Sequence, residues 1–360
     1  MSNITVKFYP IGNADCSLIK TQDDKFIIID YAAPSDGSFD LAKGLKNEVG
    51  EGGQIEILSF SHMDADHVKG ASDLFYLEHA EKYQTEGRIK IKELWVPAAA
   101  IVESGLEDDA RVIRQEARYR LKNKNGVKVF GKPEYLKEYL ESDESGKDIN
   151  YDDVKHLIVE AGSNIPMCGL EFFIHAPFSN DQDDKSTIKR NSNALAFQIR
   201  VTNGSRISNL LYLGDLDSDI ISKIVSISEC KGNVDRLRWD ILKVAHHGSY
   251  TALNKDDKDK KKTIPTDEIK RLLEHGSKGA KILISSQSID KNDYDRTQPP
   301  HIQAYNSYKE YADKNSQRIL VTGDSDESIS LILNEYGVRE ELKLPKSLYG
   351  AAAVTAPRVG

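Results

Sequence analysis

"SHMDADHVKG", residues 61–70, sets two histidines and two aspartates within six positions, directly after the apolar run "IEILSF" at 55–60. Such a run reads as a buried strand. A strand that stops on His62, Asp64, Asp66 and His67 delivers four metal-binding or acid–base side chains to one turn. Carboxylates crowded this closely repel one another unless something offsets them, so a purely structural role does not account for the group. His62 and Asp64 can project together from an extended segment, while Asp66 and His67 turn the other way where a helix begins. One loop can therefore feed two adjacent cations.

Outward from this loop the chain alternates strand and helix patterns. "ITVKFYPIG" (4–12), "CSLIKT" (16–21) and "KFIIID" (25–30) read as strands, and "FDLAKGLKNEVG" (39–50) as a helix closed by Gly50. "GQIEILSFSH" (53–62) is the next strand, "DHVKGASDLFYLEHAEKYQ" (66–84) a helix, and "IKIKELWVP" (89–97) a strand. From about 103 to 160 the texture is charged and helical, with Ala110, Ile113, Ala117 and Leu121 on one face. Strand texture returns in "GLEFFIHAP", "NALAFQIRV", "NLLYLGD", "WDILKVAHHGS", "AKILISS", "QRILVTG" and "ISLILN". The expectation is a layered α/β fold in one domain over 1–340, with a helical insertion at about 103–160 and a tail at 341–360. "KDDKDKKK" (255–262) reads as a charged loop.

Composition narrows the classes. Hydrophobic residues make up 39% of the 360 and charged residues 29%, the balance of a globular chain with ample core. No run of 18 apolar residues offers a membrane span. The start "MSNITVKFYPIG" lacks a signal-peptide pattern and already alternates like a strand. Cys16, Cys168 and Cys230 are widely separated and form neither a metal pair nor an even disulfide set, so the cytoplasm is the expected compartment. A net charge of −8 argues against a surface coated in basic residues, though not against a local basic patch or a cation that handles phosphate.

Further candidates follow other apolar runs. Asp30 ends "KFIIID", Asp215 follows "LLYLG", and His246 and His247 follow "ILKVA". Each begins where a buried strand stops, which is where open α/β sheets place their sites. Imidazole and carboxylate donors together suit zinc, manganese or iron. Asp215, arriving from a distant segment, could bridge two cations at the roughly 3.5–4 Å separation of two-metal hydrolases.

"SHMDADH" resembles the H-x-H/D-x-D-H signature of the metallo-β-lactamase fold, with Asp64 where the second histidine usually stands. "IIIDYA", "YLGD" and "LKVAHHGS" are similar to that fold's first aspartate, bridging aspartate and late histidine, in the same order. S-H-x-D-x-D-H together with L-K-x-x-H-H-G-S resembles a narrower branch: the nuclease-like domain of bacterial competence (DNA-uptake channel) proteins and its stand-alone relatives. "IGNADCSLI", "HAPFSN" with "NSNALAF", and "AKILISS" extend the resemblance from about residue 4 to 335, leaving out roughly 103–160. It implies a four-layer αββα sandwich and a site for two divalent metal ions, manganese or zinc with magnesium also admissible. The ligands it implies are His62, Asp64, Asp66, His67, Asp215 and His246, and either member of the 246–247 pair can be the late ligand. Asp66, Asp215, His247 and Asn193 are the candidate catalytic groups, with Ser249 a further hydrogen-bond donor.

This chain departs from the pattern in two ways. Asn193 or Ser192 stands where the fold usually has its third-motif histidine, and Asp64 replaces another. A first site poorer in nitrogen should prefer manganese or magnesium to zinc. Asp30 reads as a group that holds the ligand loop, His175 as a satisfied strand histidine, Cys16 as a buried small hydrophobe, and His301 as a weak site candidate. Arg111, Arg114 and Arg118 recur at helical spacing and could grip a phosphate backbone, but Asp108, Asp109 and Glu116 share that helix and favour a solvated face. The function implied is a metal-dependent phosphodiesterase or nuclease cleaving DNA through a metal-activated water. The alternatives are a small-molecule ester or phosphodiester hydrolase and a metal-binding regulatory module. DNA is the expected partner and no membrane is expected.

Overall fold

The computed structural model describes residues 3–34, 36–141, 149–178, 190–258 and 261–341. Most of the tail at 341–360 therefore lies outside the described residues, as do parts of the 103–160 and 255–262 stretches. The first half of the chain supplies β1 (Ile4–Phe8), β2 (Ser17–Lys20), β3 (Phe26–Ile29), β4 (Gln54–Ser59), β5 (Phe75–Tyr76), β6 (Ile89–Pro97), β7 (Val127–Phe130) and β8 (Ile158–Val159). The second half supplies β9 (Asn164–Met167), β10 (Leu170–Ala176), β11 (Ala196–Asn203), β12 (Arg206–Tyr212), β13 (Trp239–Lys243), β14 (Gly276–Gln287) and β15 (Arg318–Gly323). A closing hairpin, β16 (Ile329–Asn334) and β17 (Gly337–Glu340), returns to the first sheet. Sheet one runs β17-β16-β1-β2-β3-β4-β6-β7-β8 with β5 beside β6, and sheet two runs β15-β14-β13-β12-β11-β10-β9.

Side-chain alternation along the strands sorts the core into layers. Ile27, Ile29 and Ile57 of sheet one meet Phe172, Ile199, Leu210 and Ile241 of sheet two in the space between the sheets. The alternate residues Ile28 and Leu58 face outward, under Leu41 and Leu45 of helix Leu41–Val49. On the far side Leu211 and Leu242 pack beneath Ile220 and Ile224 of helix Ser218–Cys230 and Leu272 of helix Asp267–Glu274. This is the four-layer αββα sandwich that the sequence implied. Among the described residues, no helix is long and apolar enough to cross a membrane.

Two expectations for local structure need correction. Residues 66–84 are not one helix: short helices Ala65–Val68 and Ala71–Leu74 are followed by β5 and a 3₁₀ turn at Glu81–Tyr83. The break falls at Gly70, whose φ of 79° suits a residue without a side chain; a Cβ there would meet Ala33 Cβ at 3.1 Å. The Asp109 carboxylate accepts hydrogen bonds from Gly70 N at 2.8 Å and Ser72 N at 3.0 Å, taking over amides a continuous helix would use. The charged stretch after 103 is not wholly helical either. Between helices Asp108–Lys122 and Pro133–Glu141 it carries β7, paired parallel with β6.

Candidate metal centre

Two parallel strand pairs, one in each sheet, set the site. β3 and β4 run parallel, so Asp30 and the 61–67 loop leave the same end of sheet one. β12 and β13 run parallel in sheet two and deliver Asp215 and the His246–His247 turn. β2 is antiparallel to β3, which brings Asp15, just before β2, to that same end.

Backbone hydrogen bonds fasten the ligand loop. Phe60 N donates to Trp95 O at 2.9 Å, Leu195 N to Ser61 O at 2.8 Å, and Tyr31 N to His67 O at 2.9 Å. Asp30 has a φ of 55°, a costly conformation for a non-glycine residue, and its carboxylate accepts from Ser61 N at 2.7 Å. Its other oxygen lies 3.0 Å from His67 Nδ1, so Asp30 orients the imidazole and leaves Nε2 pointing onward. That is the loop-holding role expected of it.

His67 Nε2 faces Asp215 Oδ1 at 3.3 Å. His247 Nε2 lies 3.2 Å from Asp66 Oδ2 and 3.7 Å from Asp215 Oδ2, while its Nδ1 meets the Ser285 carbonyl at 2.9 Å. The carbonyl sets the ring as Asp30 sets His67, again leaving Nε2 toward the cluster. His62 and His67 pack with centroids 4.1 Å apart and their planes tilted by 51°, and Ser61 Oγ lies 3.1 Å from the Nδ1 of each. Gly214 lets these segments meet: at a φ of 53°, a Cβ would lie 3.2 Å from Ala194 Cβ and 3.3 Å from Leu195 O.

Two overlapping donor groups result: Asp15, His67, Asp215 and His247, and His62, Asp66 and His67, each within 4.8 Å. His62 Nε2, His67 Nε2, Asp215 Oδ1 and Asp15 Oδ1 are buried without a well-formed hydrogen bond, the nearest approaches being His67 Nε2–Asp215 Oδ1 at 3.3 Å and His62 Nε2–Asp64 Oδ2 at 3.4 Å. Buried polar atoms left unsatisfied cost about 1–3 kcal/mol each, more when charged. The convergence of several, with imidazole and carboxylate chemistry, fits a divalent cation. Electrostatics agree: burial disfavours charge on Asp215, yet His67 and His247 hold its carboxyl well below the usual range. His67 is pushed the opposite way, Asp215 and Asp30 outweighing burial.

The structure places the remaining expected residues differently. His247, not His246, is brought into the cluster. His246 is partly buried, its ring centroid 6.2 Å from that of His247 and its Nδ1 3.5 Å from Thr251 Oγ1. Asp64 stands 3.4 Å from His62 Nε2 but gives its other oxygen to Arg190 Nη1 at 2.7 Å. Against the cost of burial, His62 and Arg190 keep the Asp64 carboxyl ionised. Arg190 also reaches Glu103 at 2.7 Å. Asn193 ends the 3₁₀ turn Asn191–Asn193, two residues before the Leu195 amide that holds Ser61. Ser249 Oγ pairs with Thr251 Oγ1 at 2.9 Å. His301 is buried against Tyr250, beside the 246–249 turn. His175 is satisfied by the Arg236 carbonyl at 3.0 Å, as a strand histidine should be. Asp15 was not singled out in the sequence; the only signal for it was its place in "IGNADCSLI", between a glycine turn and an apolar strand.

Beside the ligand loop lies a cleft of about 750 Å³ whose lining includes Met63, Lys69, Leu106, Asp109, Arg111 and Arg190. Arg114 and Arg118 face away from such a role. Arg114 donates to the Glu103 carbonyl, and Arg118 Nε to the Ile101 carbonyl at 2.9 Å, so both hold the end of helix Ala98–Val102. In the charged loop, Lys255 pairs with Asp219 and Lys262 with Glu310.

No family model and no curated protein matches the chain. Solved structures do. A variant of the CmlA β-hydroxylase aligns at 11% identity with a TM-score of 0.43, covering 92% of this chain and 54% of that one. The class B3 di-zinc metallo-β-lactamase LRA-12 from an Alaskan soil metagenome aligns at 14% identity and a TM-score of 0.33, covering 86% and 91%. The metallo-β-lactamase GOB-18 from Elizabethkingia meningoseptica aligns at 15% and 0.32, with the same coverage, 86% and 91%. The chain thus spans about half the length of the first of these, 54%.

Proposed function

We propose that this protein is a metal-dependent hydrolase that cleaves phosphodiesters, with nucleic acid, DNA above all, as the substrate. The observation that carries the hydrolase reading is the buried His/Asp cluster with four orphaned donor atoms aimed into it. His67, Asp215 and His247 would hold one divalent cation through a single atom each, and His62 with Asp66 would supply donors for a second beside it. Bound there, such cations supply a water of lowered pKa and neutralise charge developing on phosphate oxygens. The chain's own residues do the rest. Asp30 and the Ser285 carbonyl fix the two imidazoles. Lys69 and Arg111 offer positive charge to phosphate oxygens in the neighbouring cleft, whereas Arg190, which also lines it, is held by Asp64 and Glu103. The nuclease reading rests on the motif resemblance to the competence-protein branch.

A second reading is favoured by a specific observation. Among the described residues, Arg114 and Arg118 are committed to main-chain carbonyls, and Lys255 and Lys262 to carboxylates, which takes four of the expected basic contacts away from a polymer. A small phosphodiester or ester would need only the cleft. Metal analysis of purified protein, with a screen on single- and double-stranded DNA, RNA and bis-p-nitrophenyl phosphate in manganese, magnesium or zinc, decides between them. Cleavage of DNA that falls steeply with salt supports the first reading. Brisk small-ester turnover with no cleavage of any nucleic acid replaces it with the second.

A further inference from the structure

Asp15 belongs to "IGNADCSLI" but to none of the ligand motifs, yet it sits in the floor of the site. Its side chain is 6% exposed, with Oδ2 2.8 Å from Lys243 Nζ and 4.0 Å from His67 Nδ1. Oδ1 is buried without a hydrogen-bond partner. Lys243 is 4% exposed and divides itself between Asp15 and the Val244 carbonyl at 3.3 Å. A buried ion pair with unsatisfied valences does not stabilise a fold relative to an apolar pair, so packing alone gives no reason for it here. The position gives one. Asp15 offers an oxygen within 4.8 Å of donor atoms from His67, Asp215 and His247.

Resting on the metal-site reading above, we propose that Asp15 is an additional carboxylate ligand of the cation held by His67, Asp215 and His247. Lys243 is its positioning residue: its ion pair with Oδ2 at 2.8 Å holds the carboxylate beside the cluster before the cation arrives. A further oxygen donor hardens the site and shifts its preference toward manganese and magnesium relative to zinc, without involving Asp64. Lys243 also offsets one unit of the negative charge that Asp15, Asp30, Asp66 and Asp215 bring together.

The test is calorimetric titration of manganese and of zinc into chelator-stripped full-length protein, wild type against Asp15→Asn, Lys243→Met and the double variant, without substrate. The double variant replaces a buried ion pair with a neutral one and guards against misfolding; melting of each metal-free protein checks this. The expected result is a loss of manganese affinity of roughly 10- to 100-fold in Asp15→Asn and in the double variant, with a smaller loss for zinc. Lys243→Met should lower manganese affinity by a smaller factor than Asp15→Asn, because the carboxylate ligand remains but nothing holds it beside the cluster. Cobalt substitution gives a second readout: absorption bands that intensify in Asp15→Asn report a lower coordination number. Wild-type manganese affinity in a folded double variant overturns the proposal and leaves Asp15 a structural group beside the void of about 10 Å³ that it lines with Ser17, Tyr212 and Lys243. Failure of the wild type to bind any divalent ion sinks the metal reading itself, a separate outcome.

Discussion

The molecule contains two buried polar assemblies of similar chemistry and opposite condition. The first lies under helix Asp108–Lys122, where Glu116 and Arg120 are 0% and 2% exposed. Glu116 accepts from Arg120 Nε at 2.6 Å and from His79 N and Nδ1, both at 2.9 Å. Arg120 also donates to the carbonyls of Ile91 at 3.1 Å, Gly126 at 3.0 Å and Lys92 at 3.3 Å, and to Glu78 at 3.1 Å. No atom of either side chain is left without a partner. The second assembly is the His/Asp cluster, where four donor atoms are orphaned. A closed network is complete as protein and rigidifies what it touches. An open one is unfavourable by itself and makes sense only with a further positive charge inside it.

Breaking each assembly should therefore have opposite signatures. The largest effect is expected from Asp215→Ala: loss of at least one bound metal ion and a rate loss of about a thousandfold, equivalent to about 4 kcal/mol. Full metal content in that variant would falsify the assignment. Arg120→Ala should do the converse, costing about 3–5 kcal/mol of stability by stranding Glu116, with metal content per folded molecule unchanged. Denaturant melts and metal analysis on the same samples measure both.

A pH measurement sharpens the contrast from outside either assembly. Burial pushes His175 down to about 4 from its ordinary 6.5. The unfolded chain thus takes up this proton near pH 6.5 and the folded chain only near 4. Stability from the neutral ring is fully present above 6.5 and is lost as pH falls toward 4, by up to about 3 kcal/mol. His175→Gln should flatten that part of the acid-unfolding curve; an unchanged curve would mean the ring charges in place.

Smaller effects are expected at the margin of the cluster. If Asp64 faces a cation once Arg190 yields, Asp64→His should shift the preference between zinc and manganese toward zinc by about tenfold, read by competition. An unchanged preference means that Asp64 belongs to the Arg190–Glu103 chain and not to the metal. Arg111→Glu is the mildest: DNA cleavage should weaken and lose about one unit of salt slope, while turnover of a small phosphodiester stays intact. Equal losses on both substrates would remove Arg111 from polymer recognition.

Much was legible in the sequence because it depended on local order. The apolar runs ending in Asp30, His62, Asp215 and His247 show the strands, and the hydrophobic period marks which residues face the inter-sheet core. The helix expected at 66–84 failed because its interruption is imposed from 39 residues away, by Asp109 capping Gly70. The strand Val127–Phe130 was hidden because "VKVF" between charged helical segments becomes a strand only by pairing with β6.

Sequence by itself determined the donor chemistry: histidines and aspartates at strand ends, in a spacing that one loop and two distant turns can present. Only the tertiary structure decided which of them converge. It brought His247 rather than His246 to Asp66, in a turn where both residues have positive φ. It tied Asp64 to Arg190, brought in Asp15 with Lys243, and set Glu116, which reads in sequence as part of a solvated face, in a closed network with Arg120. The physical reason is common to all four. Each outcome turns on which polar atoms are buried opposite one another, and burial is a property of the packed layers, not of spacing along the chain.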